Sequence, residues 1–193
     1  GKTYVSCLIL KELQESGFKA LPFKPVCSGS PDDVERLREA SGALLDLHEI
    51  TPFYYQSPLA PLAASRIEGF EVDLAEIEAQ AERLKAQCDF LLVEGAGGWE
   101  VPLAPGLAIP DLVRRLDLPI LLVVDNKLGA LNHTLLTVKA IKAAGLNCLG
   151  IILNHIEQER DLATVSNRGL LEELCDVPVL AEVITDADFI DWD

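Results

Sequence analysis

At 193 residues and 49% hydrophobic composition, the chain is long enough for one sizeable core and too apolar for a disordered segment. Its formal charge of −15, from 16 Lys+Arg against 31 Asp+Glu, repels phosphate backbones and anionic lipid, so neither nucleic acid nor membrane is expected as a partner. No apolar run approaches the roughly 18 to 20 residues of a membrane helix, and no charged, apolar and small-residue succession marks a secretory signal.

In chain order, Leu8, Leu10 and Leu13 predict a first helix ending near Gly17. Apolar runs then predict strands at Ala20–Val26, Asp89–Glu94, Ile120–Val124 and Cys148–Leu153, with a shorter one at Val177–Val183. The runs are continuous rather than alternating, as in a parallel sheet covered on both faces. Between them, Asp73–Gln87 carries helical spacing, and a third helix runs from near Leu128 to Gly145. Strand and helix alternate, so a single doubly wound α/β domain over residues 1–193 is expected. Ligands in such folds sit beyond the carboxyl ends of the strands. Here those are the loops after Val26, Val93, Val124 and Leu153. Five scattered cysteines (Cys7, Cys27, Cys88, Cys148 and Cys175) lack metal-ligand spacing. Their odd number points to a reducing, cytoplasmic compartment.

Gly1-Lys2-Thr3 leads straight into the first helix. It is either the end of a phosphate-binding G-x-x-x-x-G-K-[ST] loop or a frayed terminus, and a helix start favours phosphate. Lys24 stands at the end of an apolar strand, before Pro25, Cys27, Ser28 and Gly29. A lysine there must have a partner or lie at a ligand edge, or else it snorkels from an edge strand. Asp33 follows, as a metal-facing carboxylate or a helix cap. Glu94 ends a buried strand and opens the turn Gly95-Ala96-Gly97-Gly98, which suits a hard cation and a close approach to phosphate. Lys127, Leu128, Gly129 and Asn132 form a loop able to hold a carboxylate, or an ordinary turn. Asn154, ending its strand, offers an amide that could read a nucleobase. Cys27 reads more naturally as a packed thiol than a reactive one.

Taken in this order, Gly1-Lys2-Thr3, Lys24-Pro25-Val26-Cys27-Ser28-Gly29, Val93 to Trp99, Lys127-Leu128-Gly129 with Asn132-His133, and Leu153-Asn154 resemble the dethiobiotin synthetase family, over residues 1 to about 183. The resemblance implies a three-layer α/β/α P-loop NTPase-like domain with a mostly parallel sheet. It also implies an ATP- and Mg²⁺-dependent ligase that closes 7,8-diaminopelargonate and CO₂ into dethiobiotin through a carbamate and its phosphoric anhydride. On that reading Lys2, Lys24 and Ser28 are catalytic, and Gly1, Lys2, Thr3, Gly97 and Asn154 bind nucleotide. Ser28, Lys127, Leu128, Gly129 and Asn132 bind substrate, the loop reaching a neighbouring subunit of a homodimer. Thr3, Asp33 and Glu94 hold Mg²⁺. Lys24→Ala should then reduce turnover far more than folding.

The family pattern has a strand and a full glycine-rich loop before Gly-Lys-Thr. The sheet is therefore expected to lack its first strand, leaving apolar surface and backbone groups uncovered, and the sequence reads as part of a longer parent. The stretch Ile184–Asp193 is left unmatched to the family pattern. The competing readings are a related P-loop ATPase of the partitioning or amidotransferase-linked kind, and a non-catalytic dimeric binding protein.

Overall fold

The computed structural model describes residues 1–156 and 161–192. Its elements run α1 (Lys2–Glu15), β1 (Ala20–Phe23), β2 (Val26–Ser28), α2 (Asp32–Ala40), α3 (Leu47–Ile50), β3 (Phe53–Tyr55), α4 (Pro61–Glu68), α5 (Leu74–Lys85) and β4 (Phe90–Val93). They continue with β5 (Pro102–Ala104), β6 (Leu107–Ala108), α6 (Ile109–Leu116), β7 (Ile120–Asp125), α7 (Ala130–Ala143), β8 (Cys148–Asn154), α8 (Leu162–Leu174) and β9 (Val179–Val183). The chain gathers into two compact units, Ser6–Asp117 and Gly1–Val5 with Leu118–Asp193.

In the first unit, β1 pairs in parallel with β4, matching Ala20 to Phe90 and Phe23 to Val93. The single strand expected over Ala20–Val26 is broken at Lys24–Pro25. Proline has no N–H to give a ladder, and the chain turns to a new partner. Lys24 N–H donates to Ile50 O at 2.9 Å, Phe53 N–H to Pro25 O at 3.2 Å, and β2 then pairs with β3 in parallel. Helix α5 starts as its sequence dictates, with the Asp73 carboxylate accepting the Ala75 N–H at 2.8 Å. A core cluster of Leu10, Ala20, Leu37 and Ala40 packs α1 and α2 against β1.

The second unit holds a three-stranded parallel sheet in the order β7-β8-β9. Its core gathers Val124, Val138, Ile151, Leu153, Leu171 and Val179. The Asp161 carboxylate caps α8 by accepting the Thr164 N–H at 2.8 Å. The C-terminal stretch is tied down within this unit. Tyr4 Oη donates to Ala187 O at 2.7 Å, and Trp192 bridges antiparallel to Ala181.

Full covering of the strands does not hold. All four residues of β1 are buried, but β4 is half-buried at best, and most of β7 is likewise half-buried. Among the described residues β4 pairs only with β1, and β7 only with β8. No helix among the described residues is long and apolar enough to cross a membrane.

Candidate active site

The chemistry of the first unit centres on Lys24. The β1 break leaves its side chain pointing into the protein, where its Nζ donates to Glu94 Oε1 at 2.8 Å and Asp33 Oδ2 at 2.5 Å. The side chains of Lys24 and Glu94 are only 6% and 3% exposed, against 47% for Asp33. Burial alone would push the ammonium's pKa down. The charge of Glu94 and the hydrogen bonds that the ammonium donates to both carboxylates outweigh it, holding the group above the usual lysine value. Lys24 is therefore buried and paired rather than snorkelling, and Asp33 lies in the first turn of α2 with its carboxylate accepting from Lys24. Glu94 is fixed by its strand, its own N–H donating to Phe23 O at 2.9 Å.

Ser28 and Gly97 stand in two tightly built turns. Gly29 N–H donates to Tyr55 O at 2.9 Å, and Tyr54 Oη donates to Gly29 O at 2.6 Å. The Ser28 hydroxyl oxygen inside this clamp is buried, and no described residue hydrogen-bonds it. Gly97 has φ +67°, and a Cβ there would meet Val101 Cγ2 at 2.7 Å. The glycine is a packing requirement of the turn after Glu94. Cys27 is buried, with Sγ 3.7 Å from Ser30 O. Burial pushes its thiol up against the downward pull of Lys24, and Asp33 and Glu94 add to the rise. This is the packed thiol, not a nucleophile.

Gly29 gives a direct test of the clamp. Its φ is +85°, and an added Cβ would lie 3.0 Å from Pro58 Cβ and 3.2 Å from Pro58 Cα. Gly29→Ala should cost about 1–3 kcal/mol in strain and crowding, lowering the melting temperature by roughly 3–10 °C for a domain of this size. Gly17 has φ +86° with nothing within 4 Å of its added Cβ, so Gly17→Ala isolates the backbone contribution. Equal losses in the two variants would mean that Pro58 does not clamp the Ser28 turn.

In the second unit, α1 begins at Lys2, with Val5 N–H donating to Gly1 O at 3.2 Å. Thr3 is buried. The first turn contains no acidic residue, although the chain is acidic and α2 opens with Asp32, Asp33 and Glu35. The positive end of the helix dipole therefore meets no carboxylate from its own first turn. A Cβ on Gly1 would meet Asn154 Nδ2 at 3.5 Å, so the Gly-Lys-Thr start and the Asn154 amide are neighbours. Lys127, Gly129 and Asn132 are exposed, and Leu128 is 80% exposed. Lys127 pairs with Asp125 at 2.5 Å, and Asn132 lies in the first turn of α7. His133 sits exposed beside it. Three buried residues of this unit, Asn126, His155 and Asn167, carry no sequence signal beyond the position of the first two just past strand ends.

Comparison with known proteins resolves the relationship. An AAA domain family matches residues 1–188. The ATP-dependent dethiobiotin synthetase BioD of Akkermansia muciniphila is 47% identical over 193 residues, all of this chain and 91% of that protein. The chain belongs to the dethiobiotin synthetase family. The family's enzyme from Anaeromyxobacter sp. (strain K) is 45% identical over 90% of this chain and 80% of its own length, and that of Bacillus velezensis 37% identical over 93% and 79%. Among solved structures, the septum site-determining protein MinD of Pyrococcus horikoshii, complexed with Mg-ADP, aligns with a TM-score of 0.59 at 19% identity, covering 96% of this chain and 76% of that one. FtsY of Elizabethkingia anophelis, in complex with GDP, aligns at 0.61 and 11%, covering 99% and 56%. At these identities the likeness concerns the fold, a P-loop NTPase-like α/β fold with parallel strands. The dethiobiotin synthetase motifs quoted above thus lie on a fold of the kind the resemblance implied.

The residues present suit a hard divalent cation. Asp33 and Glu94 both touch one ammonium, so their oxygens stand within reach of a single ion. No cluster of three or more His, Cys, Asp or Glu at metal-binding spacing exists among the described residues. One or two carboxylates completed by phosphate oxygens is the donor set Mg²⁺ takes at nucleotide sites.

Proposed function

We propose that this chain is an ATP-dependent ligase forming dethiobiotin from 7,8-diaminopelargonate, CO₂ and ATP. The observation carrying the reading is the buried Lys24 ammonium shared between Glu94 and Asp33. A cation held there is poised against a carbamate and a transferred phosphoryl group. The sequence relatives support the same activity by name.

One substrate amine adds to CO₂ and loses a proton, giving a carbamate. A carbamate oxygen attacks the γ-phosphorus of ATP, breaking the bond to ADP and forming a carbamic-phosphoric anhydride. The second amine then attacks the carbonyl carbon and loses a proton to solvent, phosphate leaves with the C–O bond pair, and the ureido ring closes. Positioning and charge stabilisation suffice for these steps, so no protein nucleophile is needed.

Lys2 neutralises charge between the β- and γ-phosphates, and Gly1 and Gly97 give the phosphates close backbone approach. Lys24 steadies the carbamate and the phosphoryl group in transfer. Ser28, whose buried hydroxyl has no described partner, orients the carbamate. Thr3, Asp33 and Glu94 would hold Mg²⁺, which supplies neutralisation of phosphate charge. Asn154 contacts adenine. Lys127, Leu128, Gly129 and Asn132 receive the substrate carboxylate, in this family from the neighbouring subunit, so we read the working form as a cytoplasmic homodimer. Residues 1–193 are read as one ATP-binding domain, since the border between the two units falls inside α1.

The test is ADP release by the full gene product containing these residues, supplied with ATP, Mg²⁺ and bicarbonate, with and without diaminopelargonate. Release that depends on the diamino acid and yields dethiobiotin by mass is expected. ATP hydrolysis indifferent to the diamino acid would favour a partitioning-type ATPase. No Mg²⁺-dependent ATP binding at all would leave a binding protein without turnover.

A further inference from the structure

The head of the Lys127–Asn132 loop is held from a distant helix. Asn167, on α8, is buried and uses its side-chain Nδ2 twice, donating to Asn126 Oδ1 at 2.7 Å and to Lys127 O at 3.2 Å. Asn126 is buried as well, and its own Nδ2 donates to Thr164 O at 3.2 Å, back on α8. Its backbone N–H donates to Asn154 O at 2.9 Å. His155 Nε2 lies 2.8 Å from Glu182 Oε2 and 3.4 Å from Asn126 Nδ2. A ring N–H given to that carboxylate leaves the Asn126 amide to Thr164 O. The amide orientations of Asn126 and Asn167 are therefore mutually fixed.

Such a network needs a reason. A buried amide is costly unless its groups are paired, and apolar side chains would fill the same space without geometric demands. What the amides add is a fixed geometry, because each bond constrains the next. The part constrained is the carbonyl of Lys127, just before the exposed Leu128 and Gly129 and the start of α7.

We infer that Asn167 is a positioning residue for the substrate-carboxylate loop. Acting through Asn126 and the Lys127 carbonyl, it sets where the backbone of Lys127–Gly129 and the first turn of α7 present their N–H groups. This rests on the reading above that the loop receives the carboxylate of the diamino acid.

The variant that tests it is Asn167→Asp, which keeps the size but sets an oxygen against two acceptor oxygens. Losing this fixed geometry should raise KM for diaminopelargonate about tenfold, the scale of one or two hydrogen bonds. KM for ATP should stay at the wild-type value, and kcat should change by less than roughly threefold. Ser166→Ala, on an exposed position of α8, should change neither constant. An unchanged KM for the diamino acid, or an equal rise in both KM values, would overturn the inference. Should Asn167→Asp fail to fold, Asn167→Ala removes the same two donors without adding a charge. Amide hydrogen exchange and NMR shifts at Leu128 and Gly129 supply a readout independent of turnover. Faster exchange there in the variant supports the clasp, and unchanged exchange overturns it. A wild-type protein with no turnover would instead sink the activity reading, leaving the exchange result to judge the clasp alone.

Discussion

Replacing Lys24 with alanine is expected to destabilise the fold and abolish turnover together. The expectation from sequence, that Lys24→Ala touches turnover far more than folding, treats the lysine as a group facing substrate. The structure gives it a second task, because its ammonium neutralises Glu94, whose side chain is 3% exposed. Removing one partner of such a buried pair takes away a close countercharge and costs about 3–5 kcal/mol. The bond to Asp33 adds little of this, since that carboxylate is 47% exposed and water screens it. For a domain of this size the loss is a fall in melting temperature of roughly 6–20 °C. A double variant isolates the structural role. Lys24→Ala with Glu94→Gln removes the Glu94 charge as well, so most of the stability should return while turnover does not. Thermal melts and ADP-release rates on the two singles and the double make the cycle. A Lys24→Ala protein melting within a degree or so of wild type would refute the structural role. A double variant that regains turnover would refute the catalytic one.

The sequence is most legible where one physical rule acts locally. Strand cores over Asp89–Glu94, Ile120–Val124 and Cys148–Leu153 are visible because parallel strands bury continuous apolar runs, and each matches an observed strand within a residue or so of its ends. Lys24 and Glu94 stand out because a charge in an apolar run demands a partner, and the structure makes them each other's. The break after Phe23 is missed, although Pro25 carries its signal, because hydrophobicity continues across it while the hydrogen bonds do not. Short elements such as β5 and β6 leave no periodicity to read. Asn167 is invisible for a different reason. It lies 41 residues from Asn126, in a helix where an asparagine by itself signals nothing, and its meaning exists only once α8 packs beside the ends of β7 and β8. Incomplete covering of β4 and β7 is likewise a property of sheet partners, not of the strands' own residues.

Lys2→Ala is expected to behave in the opposite way to Lys24→Ala, losing turnover while leaving the fold intact. Lys2 is the first residue of α1, half-exposed, in a turn that carries no acidic side chain. Lys2 is half-exposed, so water screens the loss of its charge, and alanine is the best helix former, so the melting temperature should stay within about 2 °C of wild type. Turnover is another matter. A group acting on charge that builds during phosphoryl transfer contributes chiefly in the transition state, and losing one such donor typically lowers kcat by about 10²–10³-fold. The loss should fall on kcat more than on KM for the diamino acid, which Lys2 does not contact on this reading. Lys2→Arg keeps the charge but replaces a compact ammonium with a planar fork, so only a minor part of the rate should return. Single-turnover ADP release under saturating ATP separates chemistry from binding. A Lys2→Ala rate within about twofold of wild type would remove Lys2 from the transition state. The Gly-Lys-Thr start would then be a helix beginning and no more. A large loss with an unchanged melt would tie the N-terminus of α1 to the phosphates, independently of anything Lys24 does.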